Sequence, residues 1–141
     1  IQLFDSWIGA LGPADYESYI LPHMQRLFRL ISPGIPTVHF GTGTSGLLEL
    51  LSAAGGDVIG VDWRIDLSVA WKRIDGDRAV QGNLDPLVLF APLEELRAHV
   101  RRVLREAGGR PGHIFNLGHG VTKDARLESI EAVVTTVRNF Q

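Results

Sequence analysis

Thr37-Val38-His39-Phe40 runs straight into Gly41-Thr42-Gly43-Thr44-Ser45-Gly46, and a helical stripe of Leu47, Leu48 and Leu51 follows, ended by Gly55-Gly56. Val58-Ile59-Gly60-Val61 then opens a second strand that reaches Asp62. Strand, glycine turn, helix and strand in succession make a βαβ unit, which closes right-handed and places its strands in parallel.

The alternation continues on both sides. Upstream, Gln2 to Phe4 reads as a strand, and Gly12-Pro13 opens a helix in which Tyr16, Tyr19, Ile20, Met24, Leu27, Phe28 and Ile31 recur at spacings of three and four. Pro13 suits a first helical turn, Ser32-Pro33-Gly34 stops the pattern, and Pro22 inside it predicts a kink. Downstream, Leu67 to Ile74 forms a short helix and Ala79 to Gln81 a short strand. Asp85-Pro86 reads as an N-cap followed by proline at the first helical position. A helix from Leu93 to Ala107 turns Leu93, Leu96, Val100, Val103 and Leu104 inward, His113 to Leu117 is a strand, and Leu127 to Phe140 the last helix. The fold class is therefore α/β, with five strands in one parallel sheet and residues 1–141 as a single unit.

Composition narrows the function classes. Of 141 residues 45% are apolar and 21% charged, ordinary for a globular protein. Fourteen Lys+Arg against sixteen Asp+Glu leave a net charge of −2, which is no footprint of a nucleic-acid binder. The absence of Cys excludes a disulfide framework, a cysteine nucleophile and a thiolate metal site, and fits a cytoplasmic setting. No apolar run approaches the roughly 18 residues of a membrane span. Glycine is sixteen of 141, about 11% against a typical ~7%. The opening Ile1-Gln2-Leu3-Phe4 reads as a strand with neither leader nor initiating Met, so the expectation is a piece of something longer.

Polar residues collect where strands end: Asp5-Ser6, Gly41 to Thr44, Asp62-Trp63, Gly82 to Asp85, and Gly118-His119-Gly120. Parallel α/β folds carry their sites at the carboxyl ends of the strands, so these clusters converge on one rim. Gly41, Gly43 and Gly46, with Asp62 about twenty residues on, meet the written form of a dinucleotide-binding fingerprint, although short Gly/Thr loops are also common strand-to-helix turns. The fingerprint normally sits on the first strand of its domain, and here a strand and a long helix precede it. His119, flanked by glycines, could donate to a carboxylate or move a proton, or bond a neighbouring loop. His39, inside a strand, and His99, inside a helix, suit packing or solvent. Ser6 lacks the elbow of a nucleophilic serine and fits a substrate hydrogen bond or a helix cap. Arg101, Arg102 and Arg105 read as a solvated helix face.

Together, Gln2-Leu3-Phe4-Asp5-Ser6-Trp7-Ile8-Gly9, Gly60-Val61-Asp62-Trp63, Gln81-Gly82-Asn83-Leu84-Asp85-Pro86 and Asn116-Leu117-Gly118-His119-Gly120 resemble the uroporphyrinogen decarboxylase family in residues, order and spacing. The resemblance covers the whole chain and implies the C-terminal part, about five of eight strands, of a (β/α)₈ barrel roughly twice this long. It implies removal of carbon dioxide from the four acetates of uroporphyrinogen III, giving coproporphyrinogen III, without metal, organic cofactor or covalent nucleophile. Ser6 and His119 match residues that line the porphyrinogen cleft and are implied to bind substrate; Phe4 matches an apolar position near the macrocycle. The family's arginine-rich motif, pyrrole-facing aspartate and cleft tyrosine match nothing here, so no catalytic residue is assigned and the chain alone is expected to turn over nothing detectable. Methyl-transferring relatives bind zinc through His and Cys, a branch that the missing Cys argues against. The resemblance also turns Gly41–Gly46 into a barrel loop. Full-length relatives are homodimers, and five strands of a closed barrel leave two unpaired edges, so this chain is expected to be unstable or to self-associate.

Overall fold

The computed structural model describes residues 1–74 and 78–140. Its sheet holds β1 (Gln2–Asp5), β2 (Val38–Gly41), β3 (Val58–Gly60), β4 (Ala79–Leu84) and β5 (His113–Leu117), every pairing parallel. The strands lie across the sheet in the order of the chain. Consecutive strands of a βα barrel have that order, whereas a doubly wound nucleotide-binding sheet reverses it at a switch point.

The register separates two faces. Leu3, His39, Ile59, Val80 and His113 form one row, and Phe4, Phe40, Gly60, Gln81 and Ile114 the next. Successive residues of a strand point to opposite sides, so each row belongs to one face. After the short α1 (Pro13–Asp15), the helices on which the first row packs are α2 (Leu21–Leu30), α3 (Leu48–Ala54), α4 (Leu67–Arg73), α5 (Leu93–Ala107) and α6 (Leu127–Arg138). Ile59 and Val80 join Leu67, Trp71, Leu96, Val100 and Val103 in the main core. The second row faces the uncovered side of the sheet, with Phe4 69% and Ile114 44% exposed, although Phe40 between its aromatic neighbours is only 7% exposed. Among the described residues no helix is long and apolar enough to cross a membrane.

Local chemistry sets the helix ends. α5 begins with Glu94 and Glu95, ends with Arg105, and stops at Gly108 in the left-handed region (φ 66°), as the helix dipole and C-cap geometry favour. Arg102 and Arg105 on this helix are exposed and Arg101 half-buried, in keeping with a solvated face. Just before Pro22 the helix widens into a π-turn, Tyr16–Ile20, in which the Leu21 amide donates to the Tyr16 carbonyl. Proline has no N–H to continue the ladder, and the wider turn accommodates the loss.

Several strand and helix ends differ by one residue from the sequence pattern, and three differences are larger. β4 runs three residues beyond Gln81, to Leu84. Asn83, which reads as loop, is buried there because its Nδ2 donates to the carbonyls of Asp62 (3.1 Å) and Ile65 (2.6 Å). Asp85 does cap, accepting the Leu87 amide at 2.9 Å, but the turn it starts, Pro86–Phe90, is a 3₁₀ helix. The last helix ends at Arg138, before Phe140.

Two histidines of the helix-facing row are built into the core. His39 is fully buried, with Nδ1 3.3 Å from the Leu51 carbonyl, Nε2 unpartnered and the Phe28 ring 5.2 Å away. His113 is half-buried, with Nε2 2.8 Å from the Gly82 carbonyl. Burial holds both below the ordinary value of 6.5. The unfolded chain therefore takes up these protons first as pH falls. Stability from the neutral rings is complete above about pH 6.5 and is lost as pH falls through the lowered folded-state values. The urea midpoint should decline from about pH 7 to about pH 5, less steeply in His39→Leu; equal slopes would contradict the assignment.

Candidate functional site

The rim at the carboxyl ends of the strands is organised by Asp62. Its side chain is only 1% exposed. Oδ2 accepts the Gly43 amide at 2.6 Å and the Arg64 guanidinium at 2.6 Å, while Oδ1 accepts the Arg64 amide at 3.1 Å. The Asp62 carbonyl takes the Asn83 side chain, so one residue ties together the ends of β2, β3 and β4. Gly43 adopts a left-handed φ of 70°, and Gly9 packs so closely that a Cβ there would lie 2.2 Å from the Thr42 carbonyl oxygen.

This geometry does not favour a nucleotide site at Gly41, Gly43, Gly46 and Asp62. A dinucleotide needs the loop amides and the acidic side chain turned toward it. Here the Gly43 amide and the Asp62 carboxylate face each other, and the turn after them, Thr44–Gly46, is a single 3₁₀ turn rather than the start of a long helix.

His119 is exposed, and its ring stands between two aromatics. Phe40 lies at 6.4 Å with 67° between planes, and Trp63 at 6.4 Å with 88°. Gly118 makes the approach possible, since a Cβ there would lie 2.5 Å from the Trp63 amide nitrogen. Phe40 also meets Phe4, edge to face at 6.0 Å, and its ring occupies the space that a Cβ on Gly60 would need. Phe4, Phe40, Gln81, Asn116 and His119 line one cleft of about 230 Å³. β2 and β5 are three strand spacings apart, ~14 Å in a flat sheet, so contact between Phe40 and the loop after β5 reflects a sheet curling toward its open face.

The structure thus brings Phe4 and His119 into one cleft. Ser6 lies on the same rim, exposed, but does not line that cleft; its carbonyl accepts Thr42 Oγ1 at 2.7 Å. The 3₁₀ turn that follows, Ile8–Ala10, takes no side-chain cap, so capping does not occupy the Ser6 hydroxyl. Beside the rim, burial raises the Asp5 carboxyl above its usual value. Tyr16, fully buried with its hydroxyl unpartnered, is pushed up to about 12 by burial and by the Asp5 charge. Trp63, Gln81 and Asn116 belong to the motifs quoted from the sequence but receive no site role there. Their alternation places Gln81 and Asn116 on the open face, whereas the Trp63 contact depends on how separate loops meet.

An apolar floor of phenylalanines, two amides and an exposed imidazole suit a flat apolar ligand with polar or anionic substituents. Residues 1–140 match the family model described as uroporphyrinogen decarboxylase. The chain is 54% identical over 142 residues to the uroporphyrinogen decarboxylase of Solibacter usitatus, covering 100% of this chain and 41% of that protein. To that of Carboxydothermus hydrogenoformans it is 52% identical over 141 residues, covering 99% and 40%. The chain therefore spans about 40% of the length of these curated relatives. Among solved structures, a methyltransferase from Methanosarcina mazei superposes with a TM-score of 0.86 at 18% identity, covering 99% of this chain and 42% of the other, a likeness of fold alone. The sequential parallel strands are accordingly about five of the eight of a (β/α)₈ barrel. On the match that runs from Ile1 to Phe140 and identities above half to these relatives, the chain belongs to the uroporphyrinogen decarboxylase family.

Proposed function

We propose that this chain supplies the C-terminal part of a cytoplasmic uroporphyrinogen decarboxylase, with His119 and Ser6 as substrate-binding groups and Phe4 against the macrocycle. The observation that carries the reading is the exposed imidazole over the phenylalanine-lined cleft, at the strand ends of a chain about half identical to relatives of that name.

In the reaction, protonation of a pyrrole makes the ring an electron sink. The bond from the acetate methylene to its carboxylate breaks, its electrons flow into the ring and carbon dioxide leaves; a proton then adds to the methylene carbon to make a methyl group, and the ring gives up the proton it had taken. The residues present here bind and orient. Phe4 and Phe40 offer apolar surface to the tetrapyrrole, while His119 and Ser6 donate hydrogen bonds to its carboxylates. The proton donor and the group facing the pyrrole N–H hydrogens lie outside this chain, which by itself binds weakly and does not turn over. Its two unpaired sheet edges and open inner face favour self-association in the absence of the missing strands.

The test splices this chain behind the N-terminal part of the Solibacter usitatus relative. The spliced enzyme should decarboxylate uroporphyrinogen. His119→Ala should raise KM by about tenfold or more, since a hydrogen bond to a charged group contributes about 1.5–3 kcal/mol. Ser6→Ala should raise it less. An active spliced enzyme indifferent to His119→Ala would overturn the assignment.

A further inference from the structure

A histidine is commonly oriented by a hydrogen bond from one ring nitrogen, which leaves the other for chemistry. His119 is exposed, sits between two glycines, and among the described residues has no hydrogen bond to either ring nitrogen, so its backbone and hydrogen bonding leave the ring free to turn. Among the described residues its aromatic contacts are Phe40 and Trp63, both near perpendicular, the arrangement that aromatic quadrupoles favour.

Trp63 is the better anchored of the two for this purpose. The Asp62 carboxylate fixes the backbone after Trp63 by accepting the Arg64 amide, and ties this loop to the one after β2 by accepting the Gly43 amide. The Arg64 guanidinium, held by Asp62 Oδ2 at 2.6 Å, lies 4.0 Å from the centre of the indole. From the other loop, the Gly118 backbone rests directly on the Trp63 amide. The indole is thus clamped by groups on its own loop, and the loop bearing His119 is seated against it.

We propose that Trp63 is a positioning residue for His119, with the buried Asp62 and the half-exposed Arg64 it holds locking the indole so that its edge-on contact aims the imidazole into the Phe4–Phe40 cleft. The proposal rests on the function proposed above, because it gives the imidazole a substrate carboxylate to meet. It adds to the Asp62 clasp a role for Trp63 in the same Val61-Asp62-Trp63-Arg64 segment.

The test uses the spliced enzyme. Trp63→Leu should raise KM about fivefold with kcat little changed, and Trp63→Phe, which keeps a ring, should recover most of it. A merely structural loss lowers the amount of active enzyme, hence the apparent kcat, and leaves KM alone. In a His119→Ala background, Trp63→Leu should change KM less than twofold, the signature of two residues acting as one unit. An unchanged KM in Trp63→Leu, or a full fivefold effect persisting without His119, overturns the proposal. Should the unaltered spliced enzyme neither bind nor decarboxylate the porphyrinogen, the proposed function fails, and the ring contact is read directly. With ¹³C-labelled histidine, the His119 Cε1–H signal, identified by its loss in His119→Ala, should shift in Trp63→Leu; an unmoved signal overturns the positioning role.

Discussion

Replacing Asp62 with Ala should lower the free energy of unfolding by about 3 kcal/mol, since a buried donor left without its acceptor costs about 1–3 kcal/mol. Two backbone amides, Gly43 and Arg64, lose their partner at once. The guanidinium adds less, because its side chain is 50% exposed and water can replace the carboxylate there. Asp62→Asn retains an acceptor oxygen and should lose about 1 kcal/mol, close to the net worth of one hydrogen bond. Urea unfolding of the spliced enzyme measures both variants. Asp62→Ala should also loosen three strand-end loops, so its damage to substrate binding should exceed that of any single exposed loop residue. A loss below about 1 kcal/mol would mean that water reaches these amides and that the clasp does not organise the rim.

Gly118→Val should cost about 1–3 kcal/mol of stability by overpacking and reduce porphyrinogen affinity about tenfold or more. A Cβ at Gly118 would lie 2.5 Å from the Trp63 nitrogen and 3.0 Å from the Asp62 carbonyl carbon. Both are backbone atoms of the clasped loop and cannot swing aside as a side chain would. The loop after β5 must retreat instead, carrying His119 away from Trp63 and Phe40. Gly120 makes the contrast. It has open space around its missing Cβ, so Gly120→Ala should leave stability within about 0.5 kcal/mol. Equal effects at the two glycines, seen by urea unfolding and by titration with coproporphyrinogen, would contradict the steric argument.

In sequence the two glycines look alike, both flanking a histidine beyond a strand. The structure separates them, since Gly118 is a seat for a neighbouring loop and Gly120 has open space beside it. Local chemistry was legible throughout: Leu93–Ala107 and His113–Leu117 have the bounds their periodicity indicates, and Pro22 disturbs its helix as a missing donor must. Tertiary chemistry was not. Asn83 reads as loop because its amide finds two carbonyls only after Asp62 and Ile65 are folded beside it. Asp62 satisfies a spacing rule for a ribose-binding acid, yet its carboxylate is spent on the Gly43 amide and on its own loop. His39 reads as packing or solvent; the strand register turns it to the helix face and buries it. The convergence of Phe4, Phe40, Trp63 and His119 depends on sheet curvature, which no local pattern encodes.

The cleft's open inner face calls for the strands that complete the barrel, and coproporphyrinogen binding reports whether those strands and this chain together make a site. The titration is run on the 141-residue chain alone and again after adding the separately expressed N-terminal part of the Solibacter usitatus relative, with size-exclusion chromatography showing whether the two associate. The chain alone, self-associated, should bind only weakly and turn over nothing; the mixture should co-elute, bind coproporphyrinogen far more tightly and decarboxylate uroporphyrinogen. Co-elution without binding or turnover would contradict the assignment of this rim to a porphyrinogen.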